Sequence, residues 1–159
     1  MNISRRARAL AVLAASASLV AVPLAVPAGA AQSAKCTKLA TKTVGTTITA
    51  TVSNCTPTAA TGGKGTGTFK SSGKPNGSLN ITIKWAAGKG TTKTNIKFAN
   101  QASPGKCAAG ATRVKVTGKV TGGTGAALKT FKVNQPVTGS VCNHPTKGIT
   151  LEPGSALKF

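Results

Sequence analysis

Two stretches of alternating apolar and polar residues, 79–85 and 92–98, constrain the fold more than any other feature of the sequence. Apolar or threonine side chains occur at every second position, which is the period of a β-strand with one buried face. Gly88-Lys89 lies between the stretches, and a two-residue turn that begins with glycine is typical of a type II′ β-hairpin. This turn predicts cross-strand pairs that keep every apolar side chain on one face. The predicted pairs are Leu79 with Phe98, Ile81 with Ile96, Asn80 with Lys97 and Lys84 with Lys93.

Further short strands are predicted along the rest of the chain. They are rich in threonine and separated by glycine or proline turns, and no segment after residue 30 shows a convincing helical period. A third hairpin would join Val114–Val120 to Phe131 and Val133, with Gly118 facing Phe131. The pattern predicts an all-β fold: an Ig-like antiparallel β-sandwich, or a barrel, of about seven to nine short strands. The other strand candidates are 36–43, Thr47–Cys55, Gly67–Lys70, Val137–Cys142, Gly148–Leu151 and Ala156–Phe159.

Residues 1–30 have the features of a secretory signal peptide. Three arginines near the N-terminus precede an apolar stretch over 9–22, and the small residues Ala28-Gly29-Ala30 form a cleavage site. The apolar stretch is too short, and too soon followed by proline, for a membrane span. We therefore expect residues 31–159 to form a single secreted bacterial domain, extracellular or associated with the cell envelope, with no transmembrane span.

Four cysteines in a short exported chain predict two disulfide bonds, for which three pairings are possible. The midpoint of the first two falls at the glycine of Gly45-Thr46, and that of the last two falls within the glycine-rich stretch 122–125. Each pair would then face its partner across a hairpin. Strict alternation puts the cysteines off the core face, so the register must break near them or the bridges must lie outside the core. The expected bonds are Cys36–Cys55 and Cys107–Cys142.

The composition removes most catalytic and metal-binding chemistry from consideration. Among 159 residues there are 21 Lys or Arg, one acidic residue (Glu152) and one histidine (His144), for a net charge of +20. General acid–base catalysis and metal coordination draw mainly on His, Asp and Glu. We expect His144 to lie in a turn and Glu152 to pair with a nearby lysine. The sequence therefore predicts a protein that is not an enzyme and that needs no cofactor or metal.

A set of lysines is expected on the solvent-facing side of the predicted hairpins. Acidic residues are nearly absent, whereas an ordinary soluble surface mixes both signs of charge. Contact with a polyanion is therefore the functional hypothesis, and a solubilising surface with edges protected by lysine is the alternative. Nucleic acid would bind only non-specifically, because the chain lacks arginine forks and stacking aromatic residues. The predicted polyanion-binding lysines are Lys84, Lys93, Lys97, Lys115, Lys119 and Lys132.

Three functions remain open. The first is a secreted binding or structural protein that associates through its lysines with anionic polymers of the cell envelope. The second is a cationic antimicrobial or toxin-like protein, which would also need an apolar surface to perturb membranes. The third is a carrier of the secreted β-sandwich type that holds a small ligand between its sheets. In size, export and its two predicted disulfides, the chain is similar in general plan to the enediyne-carrying apoproteins of actinomycetes. Those proteins are acidic and no cleft motif matches, so this resemblance implies no site residue.

Overall fold

The computed structural model describes residues 33–70 and 77–159, so the predicted signal peptide lies outside the described residues. Nine antiparallel strands and two short helices make up the described part of the chain. In chain order, the elements are β1 (Lys35–Val44), β2 (Thr47–Thr56), α1 (Thr58–Thr61), β3 (Lys64–Lys70), β4 (Ser78–Trp85), β5 (Thr91–Asn100), β6 (Thr112–Thr124), α2 (Gly125–Thr130), β7 (Pro136–His144), β8 (Gly148–Leu151) and β9 (Leu157–Lys158).

Eight of the strands close into a barrel-like sheet. The order around it is β6-β5-β4-β3-β2-β1-β9-β7, and β7 pairs with β6 to complete the ring. The strands from β1 to β6 follow one another as a meander, whereas β9 inserts between β1 and β7. β8 is an additional strand that forms a hairpin with β7. The prediction of an all-β antiparallel fold of short strands is confirmed, and the barrel is the observed architecture.

The central hairpin, β4–β5, has the predicted faces but a different register. Leu79 lies opposite Ile96 and Ile81 opposite Thr94, so the predicted pairs of Ile81 with Ile96 and Leu79 with Phe98 are wrong. The turn causes this shift: it folds as Ala86–Lys89, with the Lys89 N–H donating to the Ala86 carbonyl, rather than at Gly88-Lys89 alone. A displacement of two residues leaves each side chain on its original face.

The predicted third hairpin is wrong, because a helix interrupts it. Residues 125–130 form α2, whose Ala, Leu and Lys are strong helix formers. β6 therefore pairs with β7 instead, and Gly118 lies opposite Val137 rather than Phe131. Phe131 follows α2 and is nevertheless fully buried in the core. Five of the six remaining strand candidates lie on observed strands, and the sixth, Ala156–Phe159, contains the two-residue strand β9.

Both predicted disulfide bonds are present, although the second is not the predicted hairpin bridge. Cys36 lies directly opposite Cys55 in the β1–β2 ladder. Both are buried because the in–out alternation breaks on both strands at Thr37 and Asn54, and Asn54 has a positive φ of 52°. Cys107 lies in the loop between β5 and β6 and is bonded to Cys142 on β7. The second bond therefore attaches a long loop to the barrel wall.

Aromatic side chains close one end of the barrel. The ring of Trp85 lies 5.5 Å from that of Phe131 and 5.7 Å from that of Phe159, and all three are almost completely buried. The indole packs over Gly65, where an added Cβ would lie 2.7 Å from the ring. Its Nε1 donates a 2.8 Å hydrogen bond to the hydroxyl of Thr92, which is also buried. α1 and α2 pack against each other at this end, which we call the closed end.

Replacing Thr92 by Val should destabilise the barrel. The change keeps the shape of the side chain but leaves the buried Trp85 N–H without its acceptor, which costs about 1–3 kcal/mol. The measurement is the free energy of unfolding in urea, followed by the fluorescence of Trp85. Thr82→Val, on the exposed face of β4, is the matched control and should change stability little. Equal stability of the two variants would contradict the role of this hydrogen bond.

Candidate functional site

Strand alternation places five of the six predicted lysines on the outer surface of three adjacent strands. Their neighbours in sequence, such as Ile83, Ile96 and Val116, point into the barrel and are buried. The lysine side chains therefore point outward, and all five residues are exposed. We call this set the lysine face; it consists of Lys84 on β4, Lys93 and Lys97 on β5, and Lys115 and Lys119 on β6.

Members of the lysine face are diagonal neighbours across the strands. Lys97 lies opposite Thr117, which is midway between Lys115 and Lys119. Diagonal neighbours in a sheet are roughly 7–8 Å apart, within reach of long side chains. Like charges at this spacing repel one another, so an anion bound between them would relieve the repulsion.

Two details of the lysine prediction need correction. Lys84 lies opposite Thr91, and Lys93 lies opposite Thr82, so the predicted direct pairing of Lys84 with Lys93 is wrong and the two are diagonal neighbours. Lys132 is exposed but lies in the loop between α2 and β7, outside the three strands. The observed lysine face therefore has five members.

The aromatic side chains are directed into the barrel. Trp85, Phe131 and Phe159 fill the closed end, while Phe69 and Phe98 stack on each other with ring centroids 6.4 Å apart and pack against the core. These five are all the aromatic residues of the sequence. None of them is available beside the lysines to stack on a nucleotide base, which specific single-strand recognition normally uses.

A cavity of about 70 Å³ lies inside the barrel; the carrier hypothesis expected a ligand space between two sheets and named none of the lining residues. Its inner part is lined by buried residues, including Ile83 and Phe159. Five half-buried lining residues lie at the opposite end of the barrel from the aromatic cluster, and we call that end the mouth. Gly67 lines the cavity, but an added Cβ there would lie 2.9 Å from Ile81 Cγ2, so this glycine accommodates Ile81 and no single residue of the sequence indicates the void. The mouth residues are Leu39, Thr41, Phe69, Phe98 and Ile149.

The cavity is apolar throughout. The hydroxyl of Thr41 bonds to the backbone of Ile149, and that of Thr94 bonds to the Ile81 carbonyl. Within the described ranges, no buried side-chain nitrogen or oxygen lacks a hydrogen-bond partner. Water in such a space needs two to four polar partners, which this lining does not offer. An unfilled cavity of this size costs on the order of 2 kcal/mol of stability.

The single carboxylate side chain has a structural position. Glu152, which follows β8, accepts a 2.9 Å hydrogen bond from Arg113 Nε and a 3.0 Å bond from the Lys106 N–H. The carboxylate therefore ties the loop between β5 and β6 to the barrel, and its expected partner, a lysine side chain, is replaced by an arginine. Hydrogen bonds from the Ser140 hydroxyl, the Lys106 N–H and Arg113 lower the pKa of Glu152 from 4.5 to about 2, although desolvation opposes them.

His144 ends β7 and enters a turn, as expected. Its Nδ1 accepts hydrogen bonds from the backbone N–H groups of Thr146 and Lys147. The ring therefore stabilises the turn between β7 and β8. His144 carries no negative charge, and the Glu152 carboxylate is bonded to Arg113 and the Lys106 N–H, so neither residue neutralises the lysine face.

Protonation of Glu152 in acid should weaken its hydrogen bonds and so lower the free energy of unfolding. Because the folded-state pKa lies below the unfolded value, this contribution is complete above about pH 4.5 and is lost as pH falls toward about 2. Urea unfolding of the native protein and of Glu152→Gln should therefore differ most above pH 4.5, and the difference should shrink between pH 4.5 and 2. A difference that stayed constant over this range would contradict the assignment.

Comparisons with protein-family models, with curated proteins and with solved structures found no match. Among residues 33–70 and 77–159, no helix is long and apolar enough to cross a membrane. Any functional assignment therefore rests on the arrangement of the residues themselves.

Proposed function

We propose that this chain is a secreted, non-enzymatic binding protein that associates through its lysine face with anionic polymers of the cell envelope or its surroundings. The observation that carries this proposal is the continuous set of five exposed lysines on β4, β5 and β6. The one acidic side chain of the sequence is held by Arg113 instead of neutralising this set.

Electrostatic attraction is the expected source of affinity. Lysine ammonium groups act as hydrated point charges, which suits a repeating, flexible polyanion better than a single planar ligand. Binding would release counterions from the polymer, so the affinity should fall steeply with salt. The inward direction of all five aromatic side chains favours charge recognition over base recognition, and nucleic acid would bind only as a generic polyanion.

Membrane disruption has weaker support. A protein that enters a bilayer needs an amphipathic apolar surface. In the described part of the chain, Val44 and Val133 are the large apolar residues that are exposed, and they lie on different loops or strand ends. Release of dye from anionic vesicles would favour the antimicrobial alternative over polymer binding.

The proposal predicts a salt-dependent association with cell envelopes. Co-sedimentation of the purified protein with envelopes of the producing bacterium should give a log K that falls with log salt. If the five lysines each neutralise one phosphate-like charge, the slope should be about −3.5 to −4.5, by analogy with nucleic acids. Retention that does not depend on salt would contradict the mechanism.

A second prediction separates the lysine face from total charge. Lys97→Gln, Lys115→Gln and Lys119→Gln together should reduce the magnitude of the salt slope by about 2–3. The control replaces Lys35, Lys38 and Lys158 by Gln, which removes the same charge from β1 and β9 on the other side of the barrel. Equal losses in the two triple variants would mean that the charge acts generically and that the lysine face is not a site.

A further inference from the structure

We propose that the barrel holds a single-chain anionic amphiphile, with the end of its alkyl chain in the apolar cavity and its acidic headgroup beside lysines at the mouth. This ligand site is independent of the lysine face. It rests on three observations: the cavity lining, the unequal closure of the two ends of the barrel, and the charge around the mouth.

The lining selects an alkyl chain. The cavity offers hydrocarbon and aromatic surface together with two threonine hydroxyls that are already bonded to the backbone. A ligand inside it can therefore gain contact area but no strong polar contact. Its volume of about 70 Å³ is less than half that of the ~150 Å³ apolar cavity that accepts benzene in another protein. The enclosed space is therefore too small for a ring system or for a whole eight-carbon chain. It accepts the terminal carbons of a slender chain, and the remaining carbons lie among the half-buried residues of the mouth.

Among residues 33–70 and 77–159, the two ends of the barrel differ, which gives the ligand a direction. At the closed end, Trp85, Phe131 and Phe159 pack together and are buried. At the mouth, Phe69 and Phe98 are only half-buried, and their rings form one side of the opening. A chain would therefore enter past these two rings with its headgroup remaining at the mouth.

The charge at the mouth selects an anionic headgroup. Lys42 follows the mouth residue Thr41, Lys70 follows Phe69, and Lys147 lies two residues before Ile149. All three are exposed, and they come from β1, β3 and the turn before β8. We call them the mouth lysines. The only acidic side chain, Glu152, is bonded to Arg113 and Lys106 and so does not compensate them.

A headgroup series with the unaltered protein tests this inference. Calorimetric titration should show saturable one-to-one binding of octanoate, weaker binding of octanol, and the weakest binding of octylammonium. The fluorescence of Trp85 should change on binding, since its ring contacts Phe159, which lines the cavity. Absence of saturable octanoate binding would overturn the proposal, and so would equal affinity for octanoate and octylammonium.

Two variants locate the ligand. Ala50→Leu fills the cavity from β2 and should weaken octanoate binding at least tenfold, whereas Thr51→Leu, on the opposite face of the same strand, should not. Lys42→Gln, Lys70→Gln and Lys147→Gln together should weaken octanoate binding severalfold and leave octanol binding unchanged. Octanoate affinity that is unaffected by Ala50→Leu would overturn the assignment to the cavity.

The same titrations distinguish this site from polymer binding. The control triple variant at Lys35, Lys38 and Lys158 should bind octanoate normally, because β9 and the beginning of β1 lie at the closed end. Lys97, which precedes the mouth residue Phe98, is left unchanged in the mouth variant so that the lysine face stays intact. Envelope retention that persists in the mouth variant, together with weakened octanoate binding, would show that the two sites are separate.

Discussion

Closure of the sheet through β9 is the constraint on which the rest of the structure depends. This strand is two residues long, yet it pairs with both β1 and β7. Because β7 also pairs with β6, β9 and β7 together join the two ends of the meander. Reciprocal backbone bonds between Ala34 and Phe159 extend the closure at 3.1 and 2.9 Å. A closed sheet has no free edge in the ring, and it converts the two faces of every strand into an inside and an outside.

This separation gives the protein two chemically opposite surfaces. Ile, Val and Phe side chains occupy the inside, while the strand lysines remain outside in water. Because Glu152 bonds to Arg113 and the Lys106 amide, the single carboxylate side chain stabilises a loop instead of neutralising the exterior. The same alternation that builds the core therefore places the lysines on the outer surface of the sheet. The two proposed sites lie on opposite faces of this sheet: the lysine face outside and the cavity inside.

The hairpin of β4 and β5 shows how far sequence patterns reach. Alternation identified which side chains share a face, since this depends only on the period of a strand. It did not identify the register, because Ala86 and Ala87 join the turn and displace the pairing by two residues. The helix α2 was missed for a related reason. Six residues are too few to establish a helical period in the sequence. The helix is stabilised instead by burial of Ala127 against the rest of the protein.

The sequence by itself determined the all-β class, the outward direction of the strand lysines, the presence of two disulfide bonds and the near absence of acidic groups. These properties follow from local periodicity and composition. Only the tertiary structure decided that the sheet closes, that five lysines become neighbours on three strands, and that a cavity remains inside the barrel. Such features depend on contacts between strands that are distant in the chain, and a void is set by how all side chains pack together. No single segment contains that information.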